Sequence, residues 1–234
     1  MMMGVVLILS ALLLFLYNGY EERRAGQQAE MLLDDVQSAI EKETDSAAKT
    51  DSMETDSAVS QEAEQTDDIS SVIAEEADSA AKVNEMEADF TDSRETLPAE
   101  MPVVQIDAYE YIGYLSIPDL NLKLPVMAEW DYNRLKIAPC CQFGSSRTND
   151  LVIAAHNYKT HFGSLSSLET GAEVIFTDMD GIKNRYALMK KPQTLAPDDV
   201  NAVQNSGYDL VLYTCTPGGA TRVAVFCDRV QKDR

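Results

Sequence analysis

The chain has 234 residues, of which 39 are acidic and 19 are basic, so its formal net charge is −20. This length allows one ordinary domain with extensions, or at most two small domains. The negative charge argues against a protein that binds nucleic acid, because that function needs clustered lysines and arginines. Four cysteines are too few for a disulfide-rich secreted scaffold.

The acidic residues are concentrated in one segment. Residues 21–100 contain 24 acidic and 6 basic residues, whereas residues 101–234 contain 15 and 13. Residues 21–89 also lack aromatic side chains. We therefore predict a disordered or weakly helical acidic low-complexity stalk at residues 21–100, with one short juxtamembrane helix at residues 27–40, and a globular domain at residues 101–234.

The first twenty residues are almost entirely apolar and predict a transmembrane signal-anchor. A cleaved signal peptide is the alternative, and it is disfavoured because no small-x-small cleavage site follows the apolar run. Arg23 and Arg24 follow the span, and no basic residue precedes it. By the positive-inside rule this distribution would place the rest of the chain in the cytoplasm, so another feature must decide the orientation.

Short apolar runs between turn residues predict strands throughout the globular domain. The predicted strands are residues 111–117, 122–127, 151–156, 173–177, 185–190, 209–214 and 221–230. Short helices are expected at residues 130–137, 162–168 and 198–204. Closely spaced short strands are typical of an all-β barrel or sandwich and not of a parallel α/β sheet.

Four residues could carry chemistry at the ends of these strands. His156 follows an apolar strand and His161 lies in the next loop, although either could be a surface or packing residue. Cys215 ends the predicted strand 209–214, and Arg222 begins the next one. If the two strands form a hairpin, Cys215 and Arg222 lie nearly opposite each other, and the cation favours the reactive thiolate. The alternative is a buried thiol beside a surface arginine.

The other cysteines look less reactive. Cys227 lies within an apolar run and is predicted to be a packed strand thiol. Cys140 and Cys141 are adjacent, follow a proline and are expected in a loop, without further residues nearby for a metal site. The run Asp178-Met-Asp180-Gly181 imitates the start of a calcium loop, but it lacks the later ligands and is better explained as a hairpin turn.

Several of these segments together resemble the sortases, the extracytoplasmic cysteine transpeptidases of mainly Gram-positive bacteria. The segments that carry the resemblance are Ile112-Gly-Tyr-Leu-Ser-Ile-Pro118, Leu124-Pro-Val126, Val152-Ile-Ala-Ala-His156, Phe162-x-x-Leu165-x-x-Leu168, Leu212-Tyr-Thr-Cys-Thr-Pro217 and Arg222. The resemblance implies a closed eight-stranded β-barrel. It also implies that the domain lies outside the cell, on a single-pass anchor whose N-terminus is inside.

The resemblance further implies a function. His156, Cys215 and Arg222 would be the catalytic residues, and Thr214 and Thr216 would be substrate-binding residues in the substrate groove. The enzyme would cleave an LPXTG-like sorting signal of a surface protein through a thioacyl-enzyme, and transfer the acyl group to an amine of peptidoglycan or a pilin. No cofactor or metal is expected.

Two other classes of protein remain as alternatives. An L,D-transpeptidase also uses cysteine, histidine and arginine, but its arginine usually follows the cysteine by two residues, and here the separation is seven. A non-catalytic surface module would use Cys215 only for packing, and thiol reactivity at neutral pH distinguishes it from an enzyme. A papain-like protease is disfavoured because its cysteine precedes its histidine in the chain.

Overall fold

The computed structural model describes residues 2–51 and 98–230. The described residues form two α-helices, α1 (Met2–Asp51) and α2 (Val200–Gln204), and ten strands. The strands are β1 (Val104–Ile106), β2 (Tyr109–Ile117), β3 (Leu122–Met127), β4 (Cys140–Phe143), β5 (Leu151–Ala154), β6 (Glu173–Asp178), β7 (Lys183–Leu188), β8 (Gln193–Leu195), β9 (Leu210–Cys215) and β10 (Arg222–Arg229). Single 3-10 turns lie at Pro118–Leu120, Arg134–Lys136 and Leu165–Ser167.

Eight of the strands form a closed mixed barrel. Their order is β2-β3-β4-β5-β9-β10-β7-β6, and pairing of β6 with β2 closes the ring. The pairs β3–β4 and β5–β9 are parallel, and the other pairs are antiparallel. Strand β1 pairs with β2 outside the ring, and β8 pairs with the first part of β10. The predicted all-β, closed eight-stranded barrel with short helices is confirmed.

All seven strands predicted from the sequence are present, with ends that differ by at most two residues. Three further strands, β1, β4 and β8, were missed. The expectation that Cys140 and Cys141 lie in a loop is wrong, because both belong to β4, which pairs with β3 and β5. A four-residue strand after a proline has no alternating pattern of its own, so its long-range partners decide its conformation.

The predicted helices are shorter than expected. Residues 130–137 and 162–168 each contain only one 3-10 turn, and α2 covers the last part of the third predicted helix. Helix α2 begins after Asp199, whose side chain accepts a hydrogen bond from the Ala202 N–H at 3.1 Å. This is the usual N-cap interaction, which satisfies one of the free amides of the first turn.

The barrel interior is filled by the inward-facing apolar residues of its strands. Tyr186, Phe176, Leu115 and Ile153 are among its fully buried side chains. Gly113 lies in a bulge of β2 with φ of +142°, where a Cβ atom would lie 2.0 Å from the Thr177 carbonyl oxygen. Only glycine allows β2 and β6 to approach this closely, and this contact closes the barrel.

Helix α1 has two different parts. Its N-terminal part is apolar and exposed on all sides, as seen for Leu7, Ile8 and Phe15. The stretch Gly4–Asp45 contains a segment that, by length and composition, could cross a membrane. Its later part buries one stripe of side chains against the barrel: Ala25, Ala29, Leu33, Val36 and Ile40. Their spacing of three or four residues places them on one face of the helix.

This packing changes the interpretation of the acidic region. The sequence predicted a short juxtamembrane helix at residues 27–40 within a disordered stalk, whereas α1 continues without a break through residue 51. Val36 and Ile40 pack in one apolar cluster with Met127 and Met179. The first part of the predicted stalk is therefore part of the folded unit, because its apolar face finds a partner that the sequence pattern does not reveal. Residues 52–97 of the predicted stalk lie outside the described residues.

Candidate active site

The hairpin of β9 and β10 places Cys215 beside Arg222. The two strands are antiparallel, and Cys215 and Arg222 are direct register partners. Side chains at directly paired positions point to the same face of a sheet and lie next to each other. The predicted hairpin geometry is confirmed. Both residues are half-buried, so neither is a core residue.

A tight loop holds the arginine at this position. The Arg222 Nη1 donates to the carbonyl oxygens of Gly219 at 3.0 Å and Thr221 at 3.1 Å. The loop itself is closed by hydrogen bonds between Thr216 and Thr221, and Gly218 adopts a positive φ of +81°. The hydrogen bonds described for the guanidinium use only Nη1, so Nε and Nη2 can donate to another group.

His156 is brought to the same edge of the barrel by a parallel pair of strands. Ala154 at the end of β5 is the register partner of Tyr213 in β9. The contact continues past the end of β5, because the Ala155 N–H donates to the Tyr213 carbonyl oxygen at 3.2 Å. Two residues beyond the register pair, the chains reach His156 and Cys215. In a strand, residues two positions apart lie on the same face. Because the two chains run in parallel, His156 and Cys215 both follow their strands at the same edge of the barrel.

The buried side chain of Thr214 ties these two segments together. Its hydroxyl donates to the Ala155 carbonyl oxygen at 2.9 Å, across the boundary between β9 and the segment that precedes His156. Thr214 is 3% exposed. Thr214 and Thr216, which the sequence analysis placed in the substrate groove, do line the cavities beside Cys215. Their hydroxyls, however, already have partners within the protein.

The environment of His156 favours its neutral form. Burial lowers the pKa of the imidazole and the Lys136 cation lowers it further, whereas a hydrogen-bonding interaction in which the Asn157 side chain acts as acceptor opposes the shift. Nδ1 is buried without a hydrogen-bond partner among the described residues. The ring of Tyr158 stacks on the imidazole, with ring centroids 3.9 Å apart and an angle of 22° between the planes. This stacking interaction was not foreseen, because a tyrosine two residues after a histidine has no recognisable pattern.

A cleft of about 190 Å³ opens beside Cys215 and Arg222. Most of its wall is apolar, and the apolar contributors include Trp130, Leu135, Leu195, Pro197, Val200 and Val203. The hydroxyl of Tyr213 hydrogen-bonds to the Gln142 side-chain oxygen at its polar side. A smaller cavity of about 80 Å³ is lined by Cys215 together with Asn157 and Pro217. Cys215 therefore lines both cavities.

The remaining cysteines and the second histidine do not belong to this cleft. Burial raises the pKa of Cys140 and Cys227 to about 12 and that of Cys141 to about 11, so these thiols stay protonated. The prediction of a packed thiol at Cys227 is confirmed by its complete burial in β10. His161 is fully buried, and burial lowers its pKa to about 4.

The acidic turn at residues 178–181 is a hairpin between β6 and β7, as predicted. Its carboxylates bind a cation of the protein itself: Arg147 Nη2 lies 3.1 Å from Asp178 Oδ2 and 2.5 Å from Asp180 Oδ2. Within residues 2–51 and 98–230, no three histidine, cysteine, aspartate or glutamate residues are grouped as a metal site would require.

Comparison with known proteins gives a family match and several similar solved structures. The Sortase domain model matches residues 115–230, which extend from within β2 to the end of the described barrel. Similar solved structures include sortase C1 of GBS pilus island 1 (23% identity, 53% of this chain and 66% of that chain, TM-score 0.45) and sortase C of Streptococcus pneumoniae (22%, 55% and 69%, 0.46). Sortase A from Corynebacterium diphtheriae is 23% identical over 57% of this chain and 63% of that chain, with a TM-score of 0.47. No curated protein matches the sequence.

This chain spans about two thirds of the length of those structures. The matched region contains all eight strands of the ring, in whole or in part, together with Cys215, Arg222 and His156. The family match and the closed mixed barrel agree with the resemblance that the sequence segments indicate. The chain belongs to the sortase family.

Proposed function

We propose that this protein is a cysteine transpeptidase in which His156, Cys215 and Arg222 are the catalytic residues. The observation that carries the proposal is the direct pairing of Cys215 with Arg222 at the wall of an apolar cleft. It is supported by the parallel register of β5 and β9, which directs His156 to the same edge. Thr214 and Thr216 line the site and hold its backbone through their hydrogen bonds.

In the first half-reaction, neutral His156 takes the proton of the Cys215 thiol, and the resulting thiolate attacks the carbonyl carbon of the scissile peptide bond. A C–S bond forms, and the carbonyl oxygen becomes an oxyanion that Arg222 binds through the N–H groups not used in its loop. When the intermediate collapses, the C–N bond breaks and the imidazolium of His156 gives its proton to the departing amine. The product is a thioester on Cys215 and a free amino terminus.

In the second half-reaction, an acceptor amine attacks the thioester. A C–N bond forms, the C–S bond breaks, and neutral His156 takes the proton that the amine loses. The acyl group is thereby transferred and the thiolate is regenerated. Because the reaction exchanges one amide for another, it needs neither a cofactor nor an oxidant.

The cleft supports an extended peptide with apolar side chains as the substrate. Trp130, Leu135 and Val203 provide apolar surface on its walls, and Pro197 lies on the α2 side. Leucine and proline at the start of an LPXTG-like sorting signal would remove this surface from water. The acceptor would be an amine of peptidoglycan or of a pilin. The apolar part of α1 would anchor the chain in the cell membrane with the barrel outside.

The full chain in a mild detergent, incubated with LPXTG- and NPXTN-like peptides, tests this function. Mass spectrometry should find a thioacyl adduct on the tryptic peptide that contains Cys215, and hydroxylamine should release it. Cys215→Ala should form no adduct, whereas Cys227→Ala, which changes a buried thiol outside the cleft, is the matched control. The absence of any adduct with every peptide, or an adduct that persists in Cys215→Ala, would contradict the proposal.

A further inference from the structure

Helix α1 contacts the loop that follows His156. The backbone N–H of Lys159 donates to Glu22 Oε1 at 2.6 Å, and the Thr160 hydroxyl donates to the Glu22 carbonyl oxygen at 3.3 Å. Glu22 and these loop residues are more than 130 positions apart in the chain. The hydrogen bonds therefore join two elements that sequence proximity does not bring together.

The helix approaches this loop as closely as its side chains permit. A Cβ atom added to Gly26 would lie 2.8 Å from Thr160 Cγ2 and 3.2 Å from Thr160 Cβ. Ala25 and Ala29, on the same side of the helix, are 3% and 1% exposed. A residue larger than glycine at position 26 must therefore displace Thr160 or lift the helix away from the loop.

The contact reaches His156 through aromatic rings. His161 is fully buried, and the backbone of Ala25 lies close to its ring. The ring of His161 meets that of Tyr158 edge-on, with centroids 5.5 Å apart, and Tyr158 stacks on His156 at 3.9 Å. The loop is closed by a hydrogen bond from the Phe162 N–H to the His156 carbonyl oxygen at 3.2 Å. A packed path therefore connects the helix with the imidazole.

We propose that helix α1, through Glu22 and Gly26, positions the loop at residues 157–161 and that Tyr158 thereby holds the His156 imidazole in its reactive orientation. Glu22, Gly26 and Tyr158 are positioning residues in this proposal, since none of them lines the cleft beside Cys215. The proposal rests on the function proposed above, because it assigns to His156 a proton-transfer role that needs a defined orientation.

The contact between α1 and the loop lies next to the end of the apolar part of the helix. The exposed apolar part of α1 ends at Tyr20, and Glu22 follows two residues later, about 3 Å along the helix axis. The His156 loop is therefore attached to α1 where the apolar part ends. The same helix that would anchor the chain also supports the active-site loop.

Two glycines of α1 provide a matched pair of variants. Gly26→Leu introduces a side chain against Thr160, whereas Gly19→Leu introduces the same side chain where a Cβ atom would meet nothing within 4 Å. Both changes favour the helix, because leucine has a higher helix propensity than glycine. In the full chain in nanodiscs, Gly26→Leu should lower kcat for peptide cleavage on the order of tenfold to a hundredfold with little change in KM. Gly19→Leu should leave both constants unchanged.

A spectroscopic measurement reads the position of His156 independently of activity. The chain has two histidines, so selective isotope labelling gives two imidazole signals, which a His161→Gln variant assigns. The stacked Tyr158 ring shields the His156 ring protons, and Gly26→Leu should move these signals downfield while Gly19→Leu should not. Tyr158→Phe should preserve the shielding and the activity, whereas Tyr158→Ala should lose both.

A second pair of variants covers the case in which Gly26→Leu fails to fold. Glu22→Ala removes the acceptor for the Lys159 N–H and should lower kcat and shift the His156 signals, whereas Glu22→Gln retains an acceptor and should restore both. Unchanged kcat and unchanged His156 signals in folded Gly26→Leu or Glu22→Ala would overturn the proposal. If the unchanged protein cleaves no peptide, the proposed function fails, while the signals of His156 still decide whether the helix positions it.

Discussion

Replacing His161 should remove a pH-dependent loss of stability. His161 is fully buried between the barrel and α1, and its pKa is lowered to about 4 by burial and by the nearby His156. In the unfolded chain its pKa returns to about 6.5. The unfolded state therefore binds a proton between these two values, whereas the folded state does not, and stability falls as the pH drops below about 6.5.

The size of this effect follows from the two pKa values. At pH 7 the imidazole is mostly neutral in both states, and the proton contributes almost nothing to the difference in free energy. At pH 5 the unfolded state is almost fully protonated at this position, and the linkage relation gives a loss of about 2 kcal/mol relative to pH 7. The loss levels off below about pH 4, where the folded protein also takes up the proton.

Denaturant unfolding of the full chain in detergent at pH 7 and pH 5 measures this loss, with the fluorescence of the single tryptophan, Trp130, as the probe. The difference between the two pH values should be about 2 kcal/mol smaller in His161→Gln than in the unchanged protein. His156→Gln is the matched control and should retain the contribution of His161. An equal pH dependence in His161→Gln and the unchanged protein would refute a neutral, buried His161.

Three further outcomes are expected. Arg222→Lys should form the thioacyl adduct on the order of a hundredfold more slowly, because lysine keeps the charge but loses the planar set of donors. Near-normal acylation would show that Arg222 contributes only its positive charge. Lys136→Gln should raise the pKa of His156, measured by NMR titration, because a cation that disfavours the imidazolium is removed; an unchanged or lower value would contradict this. Thr214→Val should destabilise the protein by about 1–3 kcal/mol in denaturant unfolding, because it leaves the Ala155 carbonyl without the hydrogen bond from the Thr214 hydroxyl. Unchanged stability would show that this hydrogen bond contributes nothing.

The strands could be predicted where a local pattern was sufficient. Strands β2, β9 and β10 are rich in β-branched and aromatic residues and are bounded by turn residues, so their positions followed from the sequence. Strand β4 could not be predicted, because its conformation depends on β3 and β5, which lie on either side of it in the ring. The pairing of β6 with β2 also depends on a bulge at Gly113 that no periodicity reveals.

The candidate site was also predictable only where its residues are close together in the sequence. Cys215 and Arg222 belong to one hairpin, in which six intervening residues are enough to indicate that they face each other. His156 is 59 residues from Cys215, and its place beside the hairpin could be expected only from the resemblance to a family. The supporting contacts of Tyr158 and Glu22 were not expected, because neither residue belongs to a recognised motif.

The sequence by itself therefore determined the residue types, the strand-rich domain, the exposed apolar start of the chain and the hairpin that pairs a cysteine with an arginine. These features depend on residues that are only a few positions apart, so their spacing can be read directly from the sequence. The tertiary structure alone decided the parallel pairing of β5 with β9 and the packing of α1 on the loop after His156. Such contacts join residues far apart in sequence, so shape, burial and hydrogen bonding in the whole folded chain select them.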